Sequence, residues 1–81
     1  EKLINIPTNI YNNISEYIDK TFGPKGIYFF TYYIEKGIVD IGKFNKNLEN
    51  LKKELITLSN EKIANDTINF IKTSLNIKNK V

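Results

Sequence analysis

The chain has 81 residues, 41% of them hydrophobic and 26% charged, with a formal net charge of +3. That balance excludes a disordered tail and allows one domain, near the size at which a single core is barely sufficient. The absence of Cys and His removes disulfides, thiol nucleophiles, thiolate metal sites and the commonest general base.

Residues 1–7 carry no helical period and read as a loose lead-in. From Thr8 to Phe22 the apolar residues Ile10, Ile14, Tyr17, Ile18 and Phe22 recur every three or four positions, with Asn12, Asn13, Glu16, Asp19 and Lys20 between them. This is one apolar stripe on a helix. Gly23-Pro24 stops it, and Pro24 suits the first position of a second helix. In that helix Phe22 and Ile27 stand at staple spacing, and Gly37 would close it as a left-handed cap.

Residues 27–44 also read as a hairpin, because Ile27 to Ile34 is rich in β-formers and Glu35-Lys36-Gly37 could turn the chain. Helix is preferred, since both faces of such a strand would be apolar and the chain is too short to cover both. Asp40 is the expected cap of a third helix, Ile41 to Leu58. There Ile41, Phe44, Leu48, Leu51, Leu55 and Leu58 alternate in steps of three and four, a heptad seam. Ser59 is the expected cap of a fourth helix, Asn60 to Asn76, and residues 77–81 read as a loose end.

Four short amphipathic helices with brief connections predict an all-α fold, a small antiparallel array or bundle forming a single domain; a hairpin at 27–44 would make it α+β. Helix 2, aromatic all round, is expected to lie centrally. The expected core is Tyr17, Phe22, Ile27, Phe30, Ile34, Phe44, Leu48, Leu51, Leu55, Ile68 and Ile71.

Fourteen Ile, twelve Asn and twelve Lys with no Arg mark an AT-rich coding sequence more than a basic binding surface. The longest uncharged apolar run, Gly26 to Ile34, is far short of the ~20 residues that span a bilayer. Glu1-Lys2-Leu3 leads into no signal-peptide core, so an intracellular location is the expectation, although the sequence does not open with Met.

Gly26-Ile27-Tyr28, followed by Asp40-Ile41-Gly42, resembles the tripeptide pair of the GIY-YIG endonucleases. That resemblance implies two short strands carrying the motifs, with Tyr28 as the catalytic tyrosine. Asp40 stands where the second motif has Tyr, and Asn50 or Leu51 stands where the family uses Arg. An Arg-free chain departs from the pattern at its chemistry, so the expectation is a non-enzymatic protein without cofactor or metal. Gly23-Pro24-Lys25-Gly26 lacks the P-loop pattern and reads as an inter-helix turn. Glu16 and Asp19 share a helix face, as would Glu35 and Asp40 across a turn, but both pairs read as solvated charges. Asn13-Ile14-Ser15 and Asn65-Asp66-Thr67 fit the glycosylation pattern inside expected helices.

The aromatic cluster Tyr28, Phe29, Phe30, Tyr32 and Tyr33 remains. A single helix cannot point all five inward, so one or two should reach the surface as a partner-binding patch. The expected contact residues are Tyr28, Phe29, Tyr32 and Tyr33 with Lys25 and Lys36. The expected function is a helical protein–protein interaction module or assembly subunit, binding a protein or a second copy through helix 2 or the helix 3 seam. The alternative is nucleic-acid binding through lysines of helices 3 and 4 and the basic tail, where Lys72, Lys78 and Lys80 follow the last acid, Asp66; a second alternative, on the tripeptide resemblance, is a degenerate GIY-YIG-like domain.

Overall fold

The computed structural model describes residues 2–76 and contains six elements. They are β1 (Leu3–Ile6), α1 (Thr8–Phe22), α2 (Pro24–Tyr33), β2 (Gly37–Asp40), α3 (Ile41–Leu58) and α4 (Glu61–Ser74). The protein is therefore mostly helical, with a small two-stranded antiparallel sheet added to the four helices. The expected loose end at 77–81 lies outside the described residues.

α1 and α2 share one connecting residue. The Gly23 N–H donates to the Asp19 carbonyl at 2.9 Å, closing α1, and its own carbonyl accepts from Ile27 at 3.2 Å, opening α2. Its φ of 82° is open to Gly at little cost, and Pro24 follows at the start of α2 as its fixed φ favours. The tight corner presses the two helices together at Gly26, where an added Cβ would fall against Phe22 Cβ and within 3.0 Å of Ile18 Cγ2. Gly26→Ala is therefore expected to lower stability by about 1–3 kcal/mol, although Ala is the better helix former. Gly42→Ala, where the new Cβ meets only Asp40 Oδ1 at 3.5 Å, should be neutral or stabilising by up to ~1 kcal/mol. Denaturant unfolding of the two variants checks the contrast.

α2 ends earlier than the sequence suggests. Ile34 turns extended (φ −119°, ψ 119°) and is buried, and its carbonyl accepts the Tyr11 hydroxyl at 2.8 Å. Gly37, with φ 111°, begins β2 and does not cap α2. The hairpin alternative is half present: Gly37–Asp40 is a strand, but residues 27–33 are helical and the partner is β1. The register is Leu3 opposite Asp40, Ile4 opposite Val39, Asn5 opposite Ile38 and Ile6 opposite Gly37. The lead-in expected to be loose is thus pinned by the sheet, and Ile6 is 2% exposed in the core. The paired strands that the tripeptide resemblance implies are not formed, since Gly26 to Tyr28 lies within α2.

Asp40 caps α3, its Oδ1 accepting from the Gly42 N–H at 2.9 Å. The α3 seam is buried at Phe44, Leu48, Leu51 and Leu55, with Ile41 and Leu58 half-buried at its ends. Asn60, not Ser59, caps α4: its side-chain oxygen accepts from Ile63 N–H at 2.9 Å, while Ser59 closes α3 through Ile56. Both residue types make good caps, and the end of α3 selects between them. α4 buries Ala64, Thr67, Ile68 and Ile71; the Thr67 hydroxyl is satisfied by the Ile63 carbonyl at 2.9 Å.

The helices close a ring of contacts, α1 on α2, α2 on α3, α3 on α4 and α4 on α1, with β2 against α3. Tyr17, Phe22 and Ile27, expected in the core, lie half-buried at its rim; Ile6, Ile14, Ile18 and Ala64 are buried instead. Tyr17 stacks on Phe70, with ring centroids 4.4 Å apart, tying α1 to α4 at that rim. Helix 2 is not central: only Gly26 and Phe30 of α2 are buried, leaving one of its faces to solvent.

Candidate functional site

Burial of Gly26 and Phe30 sets the rotation of α2 about its axis. Lys25, Tyr28 and Tyr32, spaced three and four apart, fall on the opposite face and are exposed. Tyr28 is 64% and Tyr32 69% exposed, and their rings lie nearly parallel with centroids 6.4 Å apart. Phe29 and Tyr33 are half-buried and pack against the core, each meeting an exposed neighbour edge-on: Phe29 with Tyr28 at 5.4 Å and Tyr33 with Tyr32 at 4.9 Å.

β2 continues this surface. Antiparallel partners share a sheet face, so the register puts Ile4, Val39 and Ile6 inward and Leu3, Asn5, Ile38 and Asp40 outward. Ile38 is 69% and Leu3 61% exposed, and they are diagonal neighbours on the outer face. Tyr32, Tyr33, Ile38, Val39, Lys43 and Phe44 line one groove of about 330 Å³ between α2, β2 and α3, with Asn47 and the acids Glu35 and Asp40 also on its wall. Tyr28, Tyr32, Ile38 and Leu3 thereby form one aromatic and aliphatic strip bordered by both signs of charge.

The expected contact residues divide. Lys25, Tyr28 and Tyr32 come together on the open face, and Tyr33 reaches the groove from its half-buried position. Lys36 turns away, its ammonium 5.8 Å from the centroid of the Tyr11 ring. The aliphatic half of the strip, Leu3 and Ile38, carries no helical signal in the sequence and emerges only from strand pairing.

Two phenols at the border have shifted protonation. Burial pushes Tyr11 above its ordinary value near 10, and the Glu35 charge adds to it. Tyr33 is raised by desolvation and by its 3.2 Å hydrogen bond to Glu54 Oε2, in which the hydroxyl donates. A raised folded pKa favours the neutral phenol, so the stabilisation is fully present below the unfolded value of ~10 and is lost as pH rises through the folded one. A UV-monitored alkaline titration should show Tyr11 and Tyr33 ionising after free tyrosine; all five tyrosines ionising together at the free value would contradict this assignment. Among the described residues no group of three acidic, His or Cys side chains is placed to hold a metal ion.

Among the described residues no helix is long and apolar enough to cross a membrane. No family model, no curated protein and no solved structure matches the chain.

Proposed function

We propose that the protein is a non-enzymatic interaction module that binds another polypeptide through the α2–β2 face. The observation that carries the reading is the joint exposure of Tyr32 and Ile38 on one groove, with exposed Tyr28 stacked beside Tyr32, in a chain that has little apolar side-chain area to spare. Aromatics standing in water beside a shallow cleft are the usual composition of a protein-binding core, and mixed charges at the rim supply orientation. An aromatic strip with Lys25 alongside also suits stacking on unpaired bases. Glu35 and Asp40 on the groove wall oppose a phosphate backbone, which favours a polypeptide as the occupant.

A photoreactive phenylalanine analogue at position 32, introduced in the cells that make the protein, tests this reading. The expected product is a protein adduct formed from position 32 and not from the exposed control position 69 on α4. An absence of adduct, or equal labelling from both positions, would reject the surface; a nucleic-acid adduct would favour base stacking.

A further inference from the structure

We infer that the partner polypeptide docks by an arginine, its flat guanidinium clamped between the exposed rings of Tyr28 and Tyr32 beside Glu35; the inference rests on the binding surface proposed above. Ring spacing is the first observation. Two near-parallel ring pairs occur among the described residues, and their planes are almost equally inclined, 17° for Tyr17–Phe70 and 18° for Tyr28–Tyr32. Tyr17 and Phe70 are in stacking contact with centroids 4.4 Å apart, whereas those of Tyr28 and Tyr32 stand 6.4 Å apart. A flat group touched on both faces needs its neighbours about 7 Å apart, twice the carbon–carbon contact distance. The spread of Tyr28 and Tyr32 is close to that, and both side chains are exposed, so a small torsional change opens the rest at little cost. Phe29 and Tyr33 meet the two rings edge-on and hold them in this attitude.

Charge selects among the flat groups. A nucleic-acid base, an aromatic side chain and a guanidinium all have the right thickness. A tyrosine face is negative and attracts a cation, and the guanidinium is the planar, weakly hydrated one that stacks there. Glu35 follows Tyr32 by three residues and lines the same groove, as does Asp40. Lys43 also lines it, from α3, which leaves the wall with two carboxylates to one ammonium. The ion pair found among the described residues is Lys62–Asp66, so exposed Glu35 has no described cation of its own. Exposed Lys25, three residues before Tyr28, marks the opposite end of the pair and steers an incoming cation toward Glu35. The chain contains no Arg, so a second copy cannot supply this group and the partner is a different polypeptide.

The test titrates the whole chain with N-acetyl-arginine amide and follows the Tyr28 and Tyr32 ring resonances by NMR. N-acetyl-lysine amide, of equal charge but with a tetrahedral and strongly hydrated head, is the control. The arginine probe should give a saturable shift of both rings with a dissociation constant of roughly 1–10 mM, and the lysine probe should bind at least about threefold more weakly. Tyr32→Leu should abolish the saturable shift at Tyr28, and Glu35→Gln should weaken binding severalfold; both positions are exposed, so the fold is kept. Equal response to the two probes, or a saturable shift that survives Tyr32→Leu, overturns the clamp. Adenosine monophosphate binding more tightly than the arginine probe would identify the flat group as a base and overturn the guanidinium. Mapping the adduct from position 32 separates this inference from the surface itself. A labelled protein segment with an arginine beside the adduct is expected. A protein adduct without arginine nearby leaves the surface standing and removes the clamp, and no adduct removes both.

Discussion

Phe30→Ala is expected to lower stability by about 3–5 kcal/mol, the usual cost of emptying a buried aromatic site. Phe30 is fully buried and is the residue through which α2 reaches the centre of the core. Its ring lies 4.8 Å from that of Tyr11, tilted by 38°, so the substitution also removes an aromatic pair. Tyr11 in turn holds the Ile34 carbonyl, and loss of its neighbour loosens the point where α2 gives way to β2. A chain of this size has a total stability of about 4–12 kcal/mol, so the variant should be largely unfolded under mild denaturant or heat. The contrasting variant is Tyr32→Ala on the exposed face, which should change stability by less than ~1 kcal/mol. Chemical denaturation of both, followed by circular dichroism, checks the pair. Equal effects would place Phe30 outside the core.

Ile6→Asp is the second large effect. Ile6 is the innermost residue of β1 and sits in the main cluster with residues from all four helices. Removing its side chain costs about 2–5 kcal/mol, and a carboxylate without a partner adds a desolvation penalty. The cheapest relief is for β1 to leave the sheet. The Val39 amide should then lose its protection from hydrogen exchange, since Val39 is bonded to Ile4 across the ladder. Asn5→Asp, one residue earlier on the solvent face, should leave both stability and protection near the wild-type values. If Ile6→Asp proves as mild as Asn5→Asp, the first strand is not part of the folded core.

The helices could be read from local pattern because their determinants are local. The alternating steps of α3, its Asp40 cap and the Gly23-Pro24 corner all act within a few residues, and the structure keeps them. The sheet was not readable in this way. Leu3–Ile6 and Gly37–Asp40 are each four residues long, too short for a period, and each becomes a strand by pairing with a segment remote in sequence. The shift of the α4 cap from Ser59 to Asn60 has a similar origin, since two competent caps stand side by side and only the end of α3 chooses between them. Expecting Tyr17, Phe22 and Ile27 in the core placed the right stripes with their centres slightly rotated; Ile14 and Ile18 take the axis of α1.

The candidate surface shows the same division. That some of the five clustered aromatics must face water follows from helix geometry alone. Which ones do so depends on Gly26 and Phe30 turning inward, and Gly26 turns inward because α1 leaves no room for a side chain there. Ile38 could not be foreseen as exposed, because its direction follows from the register with β1.

The pairing of β2 with β1 is what turns Ile38 outward onto the candidate surface, and amide hydrogen exchange resolved residue by residue reads it directly. In dilute protein the Ile38 and Asp40 amides should exchange rapidly while Val39 is protected. Rapid exchange of Val39, or equal protection of all three amides, would contradict the account.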